Sequence, residues 1–106
     1  MTDCGIVLMT AASREEAEKI ANFLVEERLA ACAQIISDIR SIYWWEGKIR
    51  REAEVFFMAK TTRDAFPRLE AAVKKLHSYK VPQIVFLAIE EGSADYLGWL
   101  REMVSP

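Results

Sequence analysis

Histidine is almost missing from this chain, with one in 106 residues, and cysteine occurs only at Cys4 and Cys32. A lone histidine leaves His77, or a carboxylate of raised pKa, as the candidate for acid or base work near neutral pH. Two cysteines allow one bridge at most. A chain that is 52% apolar has little need of such a staple, so reduced thiols and a cytoplasmic setting are expected. The four glycines, at positions 5, 47, 92 and 98, are too dispersed to cradle a phosphate. No nucleophile elbow, P-loop or zinc-protease helix is written in the sequence, and a non-enzymatic role is expected.

Charge of one sign is missing too. Fourteen basic residues stand against sixteen acidic ones, interspersed, for a net charge of −2. That pattern lacks the polybasic footprint of a nucleic-acid or membrane-surface protein. No apolar run approaches the ~20 residues that cross a bilayer, and no basic stretch precedes an apolar segment at the start.

What is abundant is apolar and aromatic side chain, 52% and 10% of positions, beside 28% charged residues. A span of 1–106 is the size of one domain. A domain so small buries only about two thirds of its unfolded surface, so the apolar surplus must face outward or meet another copy.

The run Gly5 to Ala11 reads as a strand and stops at Ser13 with Glu16, the pattern of a capping box. Ala17, Ile20, Ala21, Leu24 and Val25 then recur at helical spacing. From Ala31 to Trp45 small and β-branched residues predict one long strand, bent near Ser37-Asp38. Glu46-Gly47-Lys48 reads as a tight turn, and Ile49 to Thr61 as the return arm. These arms are far longer than the usual five or six residues, so the hairpin should project. A second helix is expected from about Asp64 to His77, because Pro67 is tolerated only in a first turn. Ile84 to Ile89 forms a last strand, and Gly92-Ser93 precedes a final helix with Tyr96, Leu97, Leu100 and Val104. The order is βαββαβ plus a helix: an α+β, ferredoxin-like plan with helices on one face of a four-stranded antiparallel sheet. The two helices and the last strand would use an ordinary core, leaving the apolar surplus in the hairpin from Ile35 to Ala59.

That plan also hosts RNA-recognition modules, and Phe56 and Phe57 invite the comparison. The module's basic-Gly-aromatic-Gly signature is absent and the acidic balance opposes phosphate. Cys4, Cys32, His77, Met9 and Met58 are ligand types suited to copper, though none has CxxC or HxxxH spacing. Cys32 between two alanines equally suits a small core position, and His77 a helix cap. At the hairpin tip Tyr43, Trp44 and Trp45 crowd one turn. Neighbours on a strand face opposite ways, so at least one ring meets water in a monomer, and a partner surface is expected there.

Five stretches carry a resemblance to the CutA family, the divalent-cation tolerance proteins. They are Leu29-Ala30-Ala31-Cys32, the run Ile39 to Lys48 containing Tyr43-Trp44-Trp45-Glu46-Gly47-Lys48, Lys60-Thr61, His77 with Tyr79, Val81 and Pro82, and Asp95 to Trp99. The resemblance implies a ferredoxin-like subunit similar to PII signalling proteins, a homotrimer joined through its extended strands, and a cytoplasmic place. It implies tolerance of divalent metals, with copper as a ligand, and no settled catalysis. Cys32 and His77 match positions discussed as metal ligands; Lys60, Tyr79, Glu46 and Trp45 match positions at clefts between subunits. Where the family commonly has acidic residues after its His-Pro-Tyr and Val-Pro, this chain has Lys80 and Gln83, which removes two carboxylates from the neighbourhood of His77. The expected function is weak copper binding in metal homeostasis by a cytoplasmic trimer through Cys32, His77 or both. The alternative is a signalling or scaffold trimer that holds a small metabolite or partner protein in its clefts.

Overall fold

The computed structural model of the chain describes residues 2–104; the ends of the expected 1–106 span lie outside the described residues. Its elements run β1 (Cys4–Ala11), α1 (Arg14–Glu26), β2 (Cys32–Trp45), β3 (Lys48–Thr62), α2 (Phe66–Leu76), β4 (Ile84–Ala88) and α3 (Ala94–Met103). All strand pairs are antiparallel, in the spatial order β2-β3-β1-β4, so β2 and β4 are the sheet edges.

Local signals explain most boundaries. Ser13 caps α1 by accepting from the Glu16 N–H, as a capping box requires. The reciprocal half differs: the Glu16 carboxylate reaches the Ala12 N–H at 3.1 Å and the Ser78 N–H at 2.7 Å. The helix start is thereby fastened to the end of α2. Helix α2 begins two residues later than expected, at Phe66, with Pro67 inside the first turn. The hairpin turns on Glu46 and Gly47, both at positive φ, which matches the right-handed twist of the flanking strands. The bend in β2 is a bulge at Ile36, where the register slips between Ile35 and Ser37.

Side-chain alternation divides the sheet into two faces. Val7, Met9, Ala11, Val55, Phe57 and Ala59 point to α1 and α2 and form the main core with Ile20, Leu24, Leu69 and Val73. Their strand neighbours Ile6, Leu8, Phe56 and Met58, paired across the sheet with Leu87 and Val85, share the opposite face. Helix α3 packs over one end of that face, where Cys4, Ala31, Leu97 and Leu100 make a second cluster. Among the described residues no helix lies above the rest of the face.

The expectation that surplus apolar surface is confined to the hairpin is corrected here. Val85 and Leu87 of β4 are 44% and 48% exposed, and Phe23, Val25, Val81, Tyr96 and Trp99 are also exposed. A four-stranded sheet with its main helices on one side leaves half of a fully apolar strand facing out. The hairpin does project: β1 stops where Ala11 meets Val55, so residues 48–54 of β3 pair with β2 alone. The chain accordingly extends 44 Å in its longest direction against 25 and 22 Å in the others.

Candidate functional site

Where the projecting hairpin leaves the sheet, the segment joining α2 to β4 folds back against it. Between them lies a cleft of about 670 Å³, lined by Tyr43 and Trp45 of β2, Glu54 of β3, Tyr79 and Lys80 of the connection, and Glu46 at the turn, among others. Strand alternation puts Tyr43 and Trp45 on one side and Trp44 on the other. Trp44 is therefore absent from the cleft and 71% exposed.

Glu54 is the polar centre of the cleft. It is only 7% exposed, and its Oε2 accepts a 2.7 Å hydrogen bond from the Tyr79 hydroxyl. Burial, followed by the hydrogen bond to Glu54 and its charge, pushes the Tyr79 phenol well above its ordinary pKa, so it remains a donor. The other cleft carboxylate, Glu46, has the Arg50 guanidinium 3.6 Å away. Arg50 Nε is buried without a hydrogen-bond partner among the described residues.

His77 lies behind this wall rather than in it. Its side chain is fully buried, and its ring packs against Tyr79 at a centroid distance of 4.6 Å, tilted by 45°. Nε2 lies 2.7 Å from the Thr10 carbonyl, which only accepts, so Nε2 carries the proton. Nδ1 accepts from the Tyr79 N–H at 3.1 Å. Both nitrogens are engaged, and the expectation of His77 as a metal ligand is corrected: no lone pair is left for an ion. The imidazole does not cap α2 carbonyls either, but ties the α2 terminus to β1.

Beside it, Glu16 Oε2 approaches Nδ1 to 3.9 Å. Burial raises the Glu16 pKa, but hydrogen bonds from the Ala12 and Ser78 N–H groups and the Ser78 hydroxyl outweigh it and hold the carboxyl below its ordinary value.

Cys32 sits elsewhere. It pairs with Lys60 across β2 and β3, four β3 positions from Phe56, the partner of Thr10. That spacing alone separates the Cys32 and His77 regions by roughly 13 Å. The Cys32 thiol is 3.8 Å from the Tyr96 hydroxyl, and the Lys60 ammonium lies 5.5 Å from the centre of the same ring. Within one chain Lys60 therefore lies with Cys32 and Tyr96, away from the cleft of Tyr79, Glu46 and Trp45. Cys4 is buried, and that burial, with the Asp3 charge beside it, pushes its thiol pKa up. Among the described residues no group of three or more His, Cys, Asp or Glu side chains is arranged to hold a metal ion. In a single chain, Cys32 is one ligand without companions.

Glu54, Thr10 and Ser41 in the cleft and Tyr96 beside Cys32 are not among the site residues expected from the sequence. The signal for Glu54 was in the strand pattern: it is an acid on the same β3 face as Phe56 and Met58, where the apolar stretch begins.

The fold and cleft define a small α+β protein with a four-stranded antiparallel sheet, three helices and a recess at the root of its hairpin. The chain belongs to the CutA family: the family model described as CutA1 divalent ion tolerance protein matches residues 5–103. It is 52% identical over 97 residues to the divalent-cation tolerance protein CutA of Thermus thermophilus, covering 92% of this chain and 94% of that one. The solved Thermus thermophilus structure superposes with a TM-score of 0.94 at 49% identity, over 96% of this chain and 99% of that one. The CutA structure from Archaeoglobus fulgidus gives a TM-score of 0.93 at 41% identity, again over 96% and 99%. Human protein CutA is 40% identical over 95 residues, 90% of this chain but 53% of the human one.

Proposed function

We propose that this chain serves divalent-cation tolerance as a ferredoxin-like, PII-like homotrimer that binds copper weakly, without catalysis, in the cytoplasm. The observation that carries the assembly is the uncovered apolar face of Ile6, Leu8, Phe56, Met58, Val85 and Leu87, flanked by two unpaired sheet edges. Closed rotational symmetry buries such faces and leaves no edge strand open to aggregation. The metal reading draws support from the family and from Cys32, a partly exposed soft thiol on an edge strand. Further ligands must then come from neighbouring copies or from solution. The cytoplasmic placement draws support from two free cysteines, which an oxidising compartment tends to pair. The Archaeoglobus fulgidus relative is itself described as periplasmic.

Copper titration of the metal-free protein tests the ligand assignment. Binding should vanish in Cys32→Ala and persist in folded His77→Ala. No binding by the parent, or unchanged binding in Cys32→Ala, removes Cys32 from the reading.

A second reading is favoured by the cleft: a signalling or scaffold trimer whose recess holds a small ligand between the Tyr43 and Trp45 rings and Glu54. A thermal-shift screen separates the two, since a ligand specific for the folded state raises apparent stability. Stabilisation by a small molecule with indifference to copper favours the cleft.

A further inference from the structure

We propose that the cleft takes a small organic ammonium cation, with Glu54 as its counter-charge and the Tyr43 and Trp45 rings as its walls. The inference rests on the cleft-ligand reading and names the ligand class.

The unbalanced group is Glu54. A carboxylate removed from water is costly unless a cation and hydrogen bonds replace the lost hydration. Glu54 is 7% exposed, and its hydrogen bond comes from the neutral Tyr79 hydroxyl. Among the described residues no Lys, Arg or His lies within ion-pair distance of it. Arg50 pairs with Glu46 instead, and four residues of extended strand separate its Cα from that of Glu54 by roughly 13 Å. Lys80 lines the cleft but is exposed and makes no ion pair with Glu54, so water screens its charge.

The walls select among cations. A hard divalent ion seeks six or more oxygen ligands, and among the described residues no cluster of acidic side chains supplies them. An alkylammonium group instead pairs with one carboxylate and lies favourably against indole and phenol faces. A recess of about 670 Å³ is within the range that encloses small molecules.

The test uses the full chain in its native assembly. Butylammonium and tetramethylammonium chloride are titrated against sodium chloride at equal ionic strength while the indole N–H resonances are followed by NMR. The Trp45 signal is assigned by Trp45→Phe. A saturable shift of Trp45, without one at Trp99, is expected at roughly millimolar concentration. Glu54→Gln, which keeps an acceptor for Tyr79, should weaken the response about tenfold. Glu18→Gln, an exposed carboxylate on α1 outside the cleft lining, should change it by less than about twofold.

Equal responses in the parent and Glu54→Gln overturn the proposal. A saturable Trp45 response to butyrate but not to the amines overturns the ammonium assignment and leaves the cleft reading standing. Silence towards both overturns the two together. If the amines are silent and Glu54→Gln alters the mass of the assembly, the missing cation belongs to a neighbouring copy and the proposal falls.

Discussion

The Nε2–H of His77 donates a 2.7 Å hydrogen bond to the carbonyl of Thr10, joining the end of α2 to β1 across 67 positions of sequence. With Nδ1 accepting from the Tyr79 N–H, the imidazole is a structural bolt that sets the cleft wall in place. His77→Ala should leave the buried Thr10 carbonyl and the part-buried Tyr79 N–H without this partner and lower stability by about 2 kcal/mol. Urea denaturation measures the loss. An undiminished midpoint would return His77 to the list of available ligands.

The Tyr79 hydroxyl and Glu54 are expected to be coupled. Tyr79→Phe deletes the hydroxyl that serves a buried carboxylate, at a cost of about 1–3 kcal/mol. The same change in a Glu54→Gln background should cost less, because an amide is cheaper to leave unserved than a carboxylate. A double-mutant cycle of denaturation free energies reads the difference, and strict additivity would mean that the bond contributes nothing beyond its parts.

Glu16 predicts an acid limb in the stability profile. Its folded-state pKa is depressed, so its contribution is fully present above the ordinary value of 4.5 and is lost as pH falls through the lower folded-state value. Stability should therefore fall as the pH drops below the ordinary value of 4.5, and Glu16→Gln should fall less steeply there. Parallel curves from urea midpoints at a series of pH values would assign the slope to other carboxylates.

Much of the fold was legible because its signals are local. Ser13 with Glu16 marked a helix start, Glu46-Gly47 marked a turn, and the long apolar arms marked a projecting hairpin. The cleft was legible only in part, since Tyr43, Trp45, Glu46 and Tyr79 do meet there while Trp44, Lys60, Cys32 and His77 do not line it. Strand parity decides the first exception: one step along β2 turns Trp44 to the opposite face. The contacts of Tyr79 with Glu54, and of Ser78 with Glu16, join residues 25 and 62 positions apart. Nothing in local spacing announces such pairs, because they arise only once the α2–β4 connection folds back on the hairpin.

Gly5 provides a packing test. A Cβ there would collide with the tip of the Phe86 ring, which packs on Phe66 at 5.3 Å between centroids. Gly5→Ala must displace that ring from the core and should cost about 1–3 kcal/mol. A thermal melt checks it; an unchanged midpoint would mean that the ring moves aside freely.

Assembly is the premise beneath both the metal and the cleft readings, and size-exclusion chromatography coupled to light scattering tests it most directly. Burial of the open sheet face in a closed trimer predicts a single species of about three times the chain mass, persisting on dilution to the micromolar range. A stable monomer at that concentration would contradict it.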